Sequence, residues 1–226
     1  FYAPFFFIAH EYAGLKGLPQ TGFSNPYHKF ISLSGLFYLL FGLLFLRKAL
    51  LHFFSDKVSG LTILLVVMAT NLFYYSTAEA AMSHVYTFSV VSLLLWVTIK
   101  WHEKPSFLYA SLLGFVCGLL FLIRPVNGLF VLIPLLYGLR RWRDIPGQLN
   151  KFLKHYPQLI VMLVIAFLVV LPQMLYWKHV TGSFFVYSYT DEKFFFDQPM
   201  ILKGLFSFRK GWYIYTPIMF FATIGL

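Results

Sequence analysis

Residues 157–176 read PQLIVMLVIAFLVVLPQMLY, with no acidic or basic side chain anywhere in the run. About 20 apolar residues are what an α-helix needs to cross the hydrocarbon core of a bilayer. In hydrocarbon every backbone N–H and C=O has to be paired within the protein, so such a run is either a helix or a strand of a closed barrel. Barrel strands alternate apolar and polar residues over about 10 positions, whereas this run is continuous. Further apolar runs fall at 1–9, 30–46, 59–75, 84–99, 106–123, 126–139 and 215–226. The pattern predicts an all-α, polytopic transmembrane helical bundle of about seven to eight membrane segments, a single transmembrane domain over 1–226.

Composition excludes the soluble alternative. The chain is 59% hydrophobic and only 12% charged, against about 25% charged in soluble domains. Its mean hydropathy is +0.73. A soluble helical protein would have to hide far too much apolar surface. The single cysteine, Cys117 in GFVCGLLF, rules out an internal disulfide and any CxxC metal motif, and reads as a small buried hydrophobe. The net charge is +10, yet no basic run is longer than RRWR. In a membrane chain such charge sets orientation and meets anionic lipid, so membrane lipids are expected partners and nucleic acid is not. The terminal runs FYAPFFFIA and YTPIMFFATIGL are shorter than a full span, which predicts a chain from the middle of a longer protein.

Charge also predicts sidedness. Arg47, Lys48 and Lys57 lie in the connection 47–58, Lys100 and Lys104 in 100–105, and Arg140, Arg141, Arg143, Lys151 and Lys154 in 140–156. These are alternate connections, and short basic loops stay cytoplasmic. The others, 10–28, 76–83, 124–125 and 177–214, are then expected on the non-cytoplasmic side. Pro125 suits the first position of a new helix and disfavours a helical Arg124, so IRPVNG reads as a tight turn between two spans.

That face collects the unusual chemistry. The turn within YSTAEAAMSHVYTF carries Glu79 and His84, and the IRPVNG turn carries Arg124 and Asn127. Each has a plain reading: Glu79 as a solvated loop acid, His84 as a helix cap, Arg124 as a side chain snorkelling to lipid phosphate. Ionisable groups at a membrane boundary are costly unless paired or wet, and separate connections supply complementary groups here. Acid, imidazole and guanidinium together suit an anionic phosphate leaving group and a nucleophile that needs orienting or deprotonating. The aromatic-rich stretch 177–214 reads as an interfacial loop. Within it, stacked rings suit a sugar face or a prenyl chain, and Arg209 with Lys210 suits a lipid-linked phosphate.

The segments MSHVYTFSVVSLLLW, GLLFLIRPVNGLFVLIPLLYG and GSFFVYSYTDEKFFF…GLFSFRKGWYIYTP resemble bacterial polytopic glycosyltransferases of the GT-C superfamily, in particular the dolichyl-phosphate-mannose-protein mannosyltransferase-like group. The resemblance runs over about residues 1–220 and implies a GT-C-like bundle in a bacterial inner membrane. It implies an active face on the non-cytoplasmic side, a polyprenyl-phosphate sugar donor and an inverting transfer to a glycan, lipid or protein acceptor. In that family the main catalytic acid lies in the first outer loop. No position here matches it, and the loop 10–28 has only Glu11, so the fragment is expected to be inactive alone. On this reading Arg124, Arg209 and Lys210 hold the donor phosphate, and Glu79 and His84 are auxiliary to catalysis. Asn127, Tyr187 and Tyr189 join the substrate-binding set. No cofactor is expected, and metal dependence stays open, because Glu79 and His84 alone do not make a metal site.

Two other classes compete. A transporter or lipid flippase usually carries ionisable groups or broken helices at mid-membrane depth, while these runs are nearly free of charge and are interrupted only by small features such as Asn71 and Pro134. A non-enzymatic membrane scaffold is the third. The topology is tested by cysteine labelling at Ser76 and Lys193 in a Cys117→Ala background. Both sites should react with an impermeant reagent from the non-cytoplasmic side; reaction of both only from the cytoplasmic side overturns it.

Overall fold

The computed structural model describes residues 1–186, 197–209 and 211–225. Every regular element among them is helical: α1 (Ala3–Leu15), α2 (Asn25–Leu50), α3 (Asp56–Met68), α4 (Leu72–Thr77), α5 (Ser83–Glu103) and α6 (Phe107–Ile123). A 3-10 helix (Pro125–Val131) leads into α7 (Leu132–Leu136), and another (Trp142–Asp144) into α8 (Ile145–Lys154). Then come α9 (Tyr156–Thr181), α10 (Ile201–Phe206), α11 (Trp212–Tyr215) and α12 (Ile218–Ile224).

Three helices, α2, α5 and α9, are long and apolar enough to cross a membrane. That is fewer than the seven to eight segments expected from the apolar runs, and the breaks have local causes. The run 59–75 divides at Thr70, whose hydroxyl donates to Val66 O at 2.6 Å and accepts from Leu72 N at 3.2 Å. The bond from Leu72 N marks the break, because the same donation to the carbonyl four residues back leaves α3 whole at Thr62. The run 126–139 becomes a 3-10 helix and the short α7, with Pro125 at its first position and Pro134 inside α7. Proline supplies no N–H and crowds the preceding turn. The stretch 177–214, read as one loop, instead begins as the last turn of α9, which stops at Gly182 in the left-handed conformation (φ 79°). A left-handed glycine is a common helix stop because it lacks the Cβ that makes this conformation costly. Helices α10 and α11 form further along it.

Pairs of contacts give the directions. Helices α2 and α5 run parallel: Ser34 Oγ meets Tyr86 OH at 2.9 Å, Ser89 Oγ donates to Tyr38 O at 2.7 Å, and Lys48 lies 5.3 Å from the Trp96 ring centre. Helix α1 is antiparallel to α2, with Phe5 on Phe37 and Tyr12 on Phe30. Helices α6 and α9 are parallel. Gly114 faces the backbone of Met162, and a Cβ on Gly118 would fall 2.9 Å from Ala166 O. Small residues four apart let two helix backbones touch, the contact that serves helix pairing in lipid, where apolar side chains gain little from associating. Helix α9 is antiparallel to α5, since Trp101 Nε1 donates to Gln158 Oε1 at 2.7 Å at the end of one and the start of the other. The main core fills the α5–α6 seam with Val90, Leu94, Val97, Trp101, Leu113, Val116 and Leu120.

The segment 125–136 descends along α5. Asn127 Nδ2 reaches Thr87 Oγ1 at 3.4 Å near its start, and His102 Nε2 donates to Pro134 O at 3.0 Å near its end. The basic connections meet at that second end. His52 pairs with Glu103 at 3.1 Å, Phe53 touches Tyr137, and Lys151 Nζ donates to His102 O at 2.9 Å. The starts of α2 and α5 and the ends of α1, α6 and α9 therefore share the opposite end of the bundle.

The glycine contact carries a prediction. Gly114→Val should lower the stability of the purified chain in detergent by about 1–3 kcal/mol, because the branched side chain forces α6 from α9. Gly60 in α3 has open space around its Cβ position. Gly60→Ala should leave stability unchanged or raise it by up to about 1 kcal/mol. Thermal unfolding of both variants measures the difference.

Candidate functional site

The turn 78–82 joins α4 to α5 and is clamped onto α2. Tyr86 OH donates to Ala80 O at 2.8 Å and meets Ser34 Oγ, which also donates to Ile31 O at 2.6 Å. The two hydroxyls carry two protons, enough for two of these three contacts at a time, in a site where Ser34 is wholly buried. Gly35 makes the approach possible, for a Cβ there would lie 2.6 Å from Ser76 O and from Ala80 Cβ. The turn closes on itself through Met82 N to Glu79 O at 2.9 Å.

Glu79 projects from this clamped turn and is half-buried. Its Oε1 accepts a long hydrogen bond from Tyr74 OH at 3.4 Å. The neighbouring carboxylate pushes the Tyr74 phenol above its ordinary value. The basic partner expected for Glu79 is not found: among the described residues no Lys, Arg or His nitrogen lies within 4.0 Å of it. Tyr74 takes that place because the chain turns back just after α4, Glu79 N donating to Tyr74 O at 3.2 Å.

His84 is the second residue of α5 and half-buried. It does not cap the helix. Its ring lies over Tyr75, with centroids 4.1 Å apart and planes inclined by 36°. Among the described residues no side chain caps the start of α5, where the first-turn N–H groups have no partner within the helix. The Arg124 guanidinium is close enough to His84 to act on it electrostatically.

Arg124 ends α6 in extended conformation (φ −155°, ψ 132°), as the following proline demands. Its N–H still donates to Leu120 O, and its carbonyl accepts from Asn127 N at 2.9 Å. Asn127 is buried and held on Thr87 in the second turn of α5. His84, Arg124 and Asn127 are thus brought to one end of the α5–α6 pair, with Glu79 in the turn leading into α5.

Other candidate positions are not joined to this group. Arg209 is exposed in the connection between α10 and α11 and has no ion pair among the described residues. Tyr187, Tyr189 and Lys210 lie outside the described residues. A cleft of about 540 Å³ opens at the same end but between α1 and α2, lined by Tyr12, Leu18, Ser24, Asn25, Lys29 and Phe30. Among the described residues no group of three or more His, Cys, Asp or Glu is placed to hold a metal ion.

Sequence reasoning missed Tyr75, Thr87 and the Ser34–Tyr86 clamp. The available signal was the recurrence of small hydroxyl residues, Ser34, Ser89 and Ser92 inside otherwise apolar runs and Ser76 just after one, all of them buried here. No family model, no curated protein and no solved structure matches the chain.

The clamp is testable. Tyr86→Phe removes the bond to Ala80 O and should destabilise the chain by about 1–3 kcal/mol. Amide hydrogen exchange in 78–84 should quicken beyond that of the α6–α9 seam. Uniform quickening would mean that the turn is not held locally by Tyr86.

Proposed function

We propose that the chain belongs to an enzyme that transfers a sugar from a polyprenyl-phosphate donor to an acceptor, at the end of the bundle bearing His84 and Arg124. The observation that carries the reading is that a half-buried guanidinium, an imidazole and a start of α5 with no side-chain cap among the described residues share one end of the α5–α6 pair. All three favour an anionic group of phosphate size. In the transfer, the acceptor oxygen bonds to the anomeric carbon while the bond from that carbon to the phosphate oxygen breaks. The phosphate leaves on its lipid, and the acceptor proton passes to a base. Arg124 stabilises the leaving phosphate and His84 orients it. Glu79, bonded to Tyr74 rather than to a cation, is an auxiliary acceptor for the proton.

The GT-C-like, polytopic arrangement belongs to the same proposal. Its support is that 125–136 reaches from the level of Thr87 to that of His102, so a broken helix still covers the depth of α5. Gathering of the basic connections at the other end supports a non-cytoplasmic site under the positive-inside tendency, and a bacterial inner membrane is the setting we assign. Arg209 and Lys210 are proposed to join Arg124 in holding the donor phosphate, and Tyr187 and Tyr189 to line the sugar site.

Removing one charge-assisted phosphate contact typically costs about 1.5–3 kcal/mol, roughly ten- to a hundredfold in affinity. Arg124→Ala should therefore weaken binding of a polyprenyl-phosphate monosaccharide by that factor, with partial recovery in Arg124→Lys. Lys57→Ala, an exposed position at the far end, should leave it unchanged. Equal affinity of wild type and Arg124→Ala removes Arg124 from the site. Calorimetric titration of the chain in detergent distinguishes these outcomes.

A further inference from the structure

The end of the bundle opposite the proposed site carries a feature that sugar transfer does not use. Helix α8 presents Ile145, Leu149 and Leu153 at spacings of four residues, with exposures of 42%, 56% and 63%. Its other side is spoken for. Gln148 Nε2 donates to Leu135 O and Tyr137 O, Lys151 reaches His102, and Phe152 stacks on Trp101 at 5.8 Å. Burial holds the Lys151 ammonium below its ordinary value, and it faces inward. The apolar row is thus turned away from the bundle on a helix whose orientation is fixed by contacts to α5, α7 and its neighbouring loop.

Around this row the charge is one-sided. Arg140, Arg141, Arg143 and Lys154 are exposed, and Trp142 between them is 88% exposed. Asp144 is the acid of this stretch, and its Oδ2 accepts from the backbone N–H groups of Arg140 and Arg141 at 3.0 and 2.9 Å. It forms no ion pair with their guanidiniums among the described residues. Helix α8 ends one residue before α9, a helix of 26 residues and spanning character, so it lies where such a helix leaves the hydrocarbon. A short helix with an apolar row, an interfacial tryptophan and unpaired cations matches the level of lipid headgroups.

We propose that α8 and the 140–144 turn form a binding surface for anionic phospholipid headgroups. Ile145, Leu149 and Leu153 enter the acyl boundary, Trp142 sits at the headgroup level, and Arg140, Arg141 and Arg143 contact lipid phosphates. A neutral bilayer offers the apolar part of this fit but lacks the net negative charge. A soluble protein partner would leave the row unrelated to α9, whose start adjoins it.

The test uses the wild-type chain in nanodiscs, where both leaflets are accessible and orientation is immaterial. Discs contain phosphatidylcholine alone or with phosphatidylglycerol, with lipids brominated near the headgroup as quenchers. The Trp142 signal is the difference between wild type and Trp142→Phe. Phosphatidylglycerol should increase quenching of Trp142 and slow amide exchange across 142–154, and high salt should remove both effects. Replacing Arg140, Arg141 and Arg143 by Gln should weaken the preference for the anionic lipid by about fivefold per residue. Equal quenching in the two discs would mean apolar insertion without headgroup recognition and overturns the proposal. Absence of quenching in both, or protection that grows with protein concentration, assigns the face to water or to a second copy and overturns it as well. None of these readouts depends on sugar or donor.

Discussion

Backbone contact between α6 and α9 at Gly114 and Gly118 is the constraint on which the arrangement depends. Helix α6 touches α5 on one side, α9 on another and the 125–131 segment on a third. Its inward residues, Leu113, Val116 and Leu120, are almost fully buried. In lipid, apolar side chains gain little by leaving the surrounding tails, so helix pairing relies on close packing of small residues. The parallel seam sets the end of α6 beside the end of α9. The antiparallel turn back from α5 sets that same end beside the start of α5. Arg124 and His84 come to the same end of the bundle as a consequence of these two directions, although 40 positions separate them in sequence.

The two ends of the bundle then differ in how polar groups are satisfied. At the basic end they serve one another: His102 donates to Pro134 O, Lys151 to His102 O, and Trp101 to Gln158. The ion pairs there, such as Arg47 with Asp56 at 2.6 Å, are solvent-exposed and contribute little singly. At the other end Ser34 and Tyr86 hold the turn through buried hydroxyls, yet the groups beside them are left partly open. Among the described residues Glu79 has one long contact with a phenol, and no side chain caps the first turn of α5. Order is supplied by the buried contacts of Ser34 and Tyr86, and Glu79 projects from the turn that they hold.

The helical class was legible because charge-free runs of spanning length admit no other backbone solution, and α9 is the direct instance. The gathering of 47–58, 100–105 and 140–156 at one end was legible from Lys and Arg alone. The break at Thr70 was not, because hydropathy averages over a hydroxyl that competes with the backbone at a single position. Nor was the 3-10 character of 125–131, where proline starts the element but packing on α5 sets its course. In the candidate site, Arg124 and Asn127 followed from Pro125. The partners of Glu79 and His84 did not, because Tyr74 and Tyr75 reach them through the tertiary path of α4. The exposed row of α8 needed the structure too, for a ten-residue pattern does not reveal which side its neighbours leave free.

Breaks in the helices and the candidate site are connected. Irregular backbone at membrane depth is tolerated where it is buried in protein or lines a polar space. Here the interruption at 69–71 leads into α4, which carries Tyr74 and Tyr75 to Glu79 and His84. The interruption at Arg124 leads into the segment that buries Asn127 against Thr87. Helix α9, which supplies none of these side chains, keeps Pro172 within one unbroken helix of 26 residues. A proline in α9 is thus absorbed, whereas a single threonine or an Arg-Pro step ends the helices that feed the site. The difference lies in the chain just after each break. It delivers polar side chains to the same end of α5, and a hydroxyl or a carbonyl stands ready there to take up the freed backbone group.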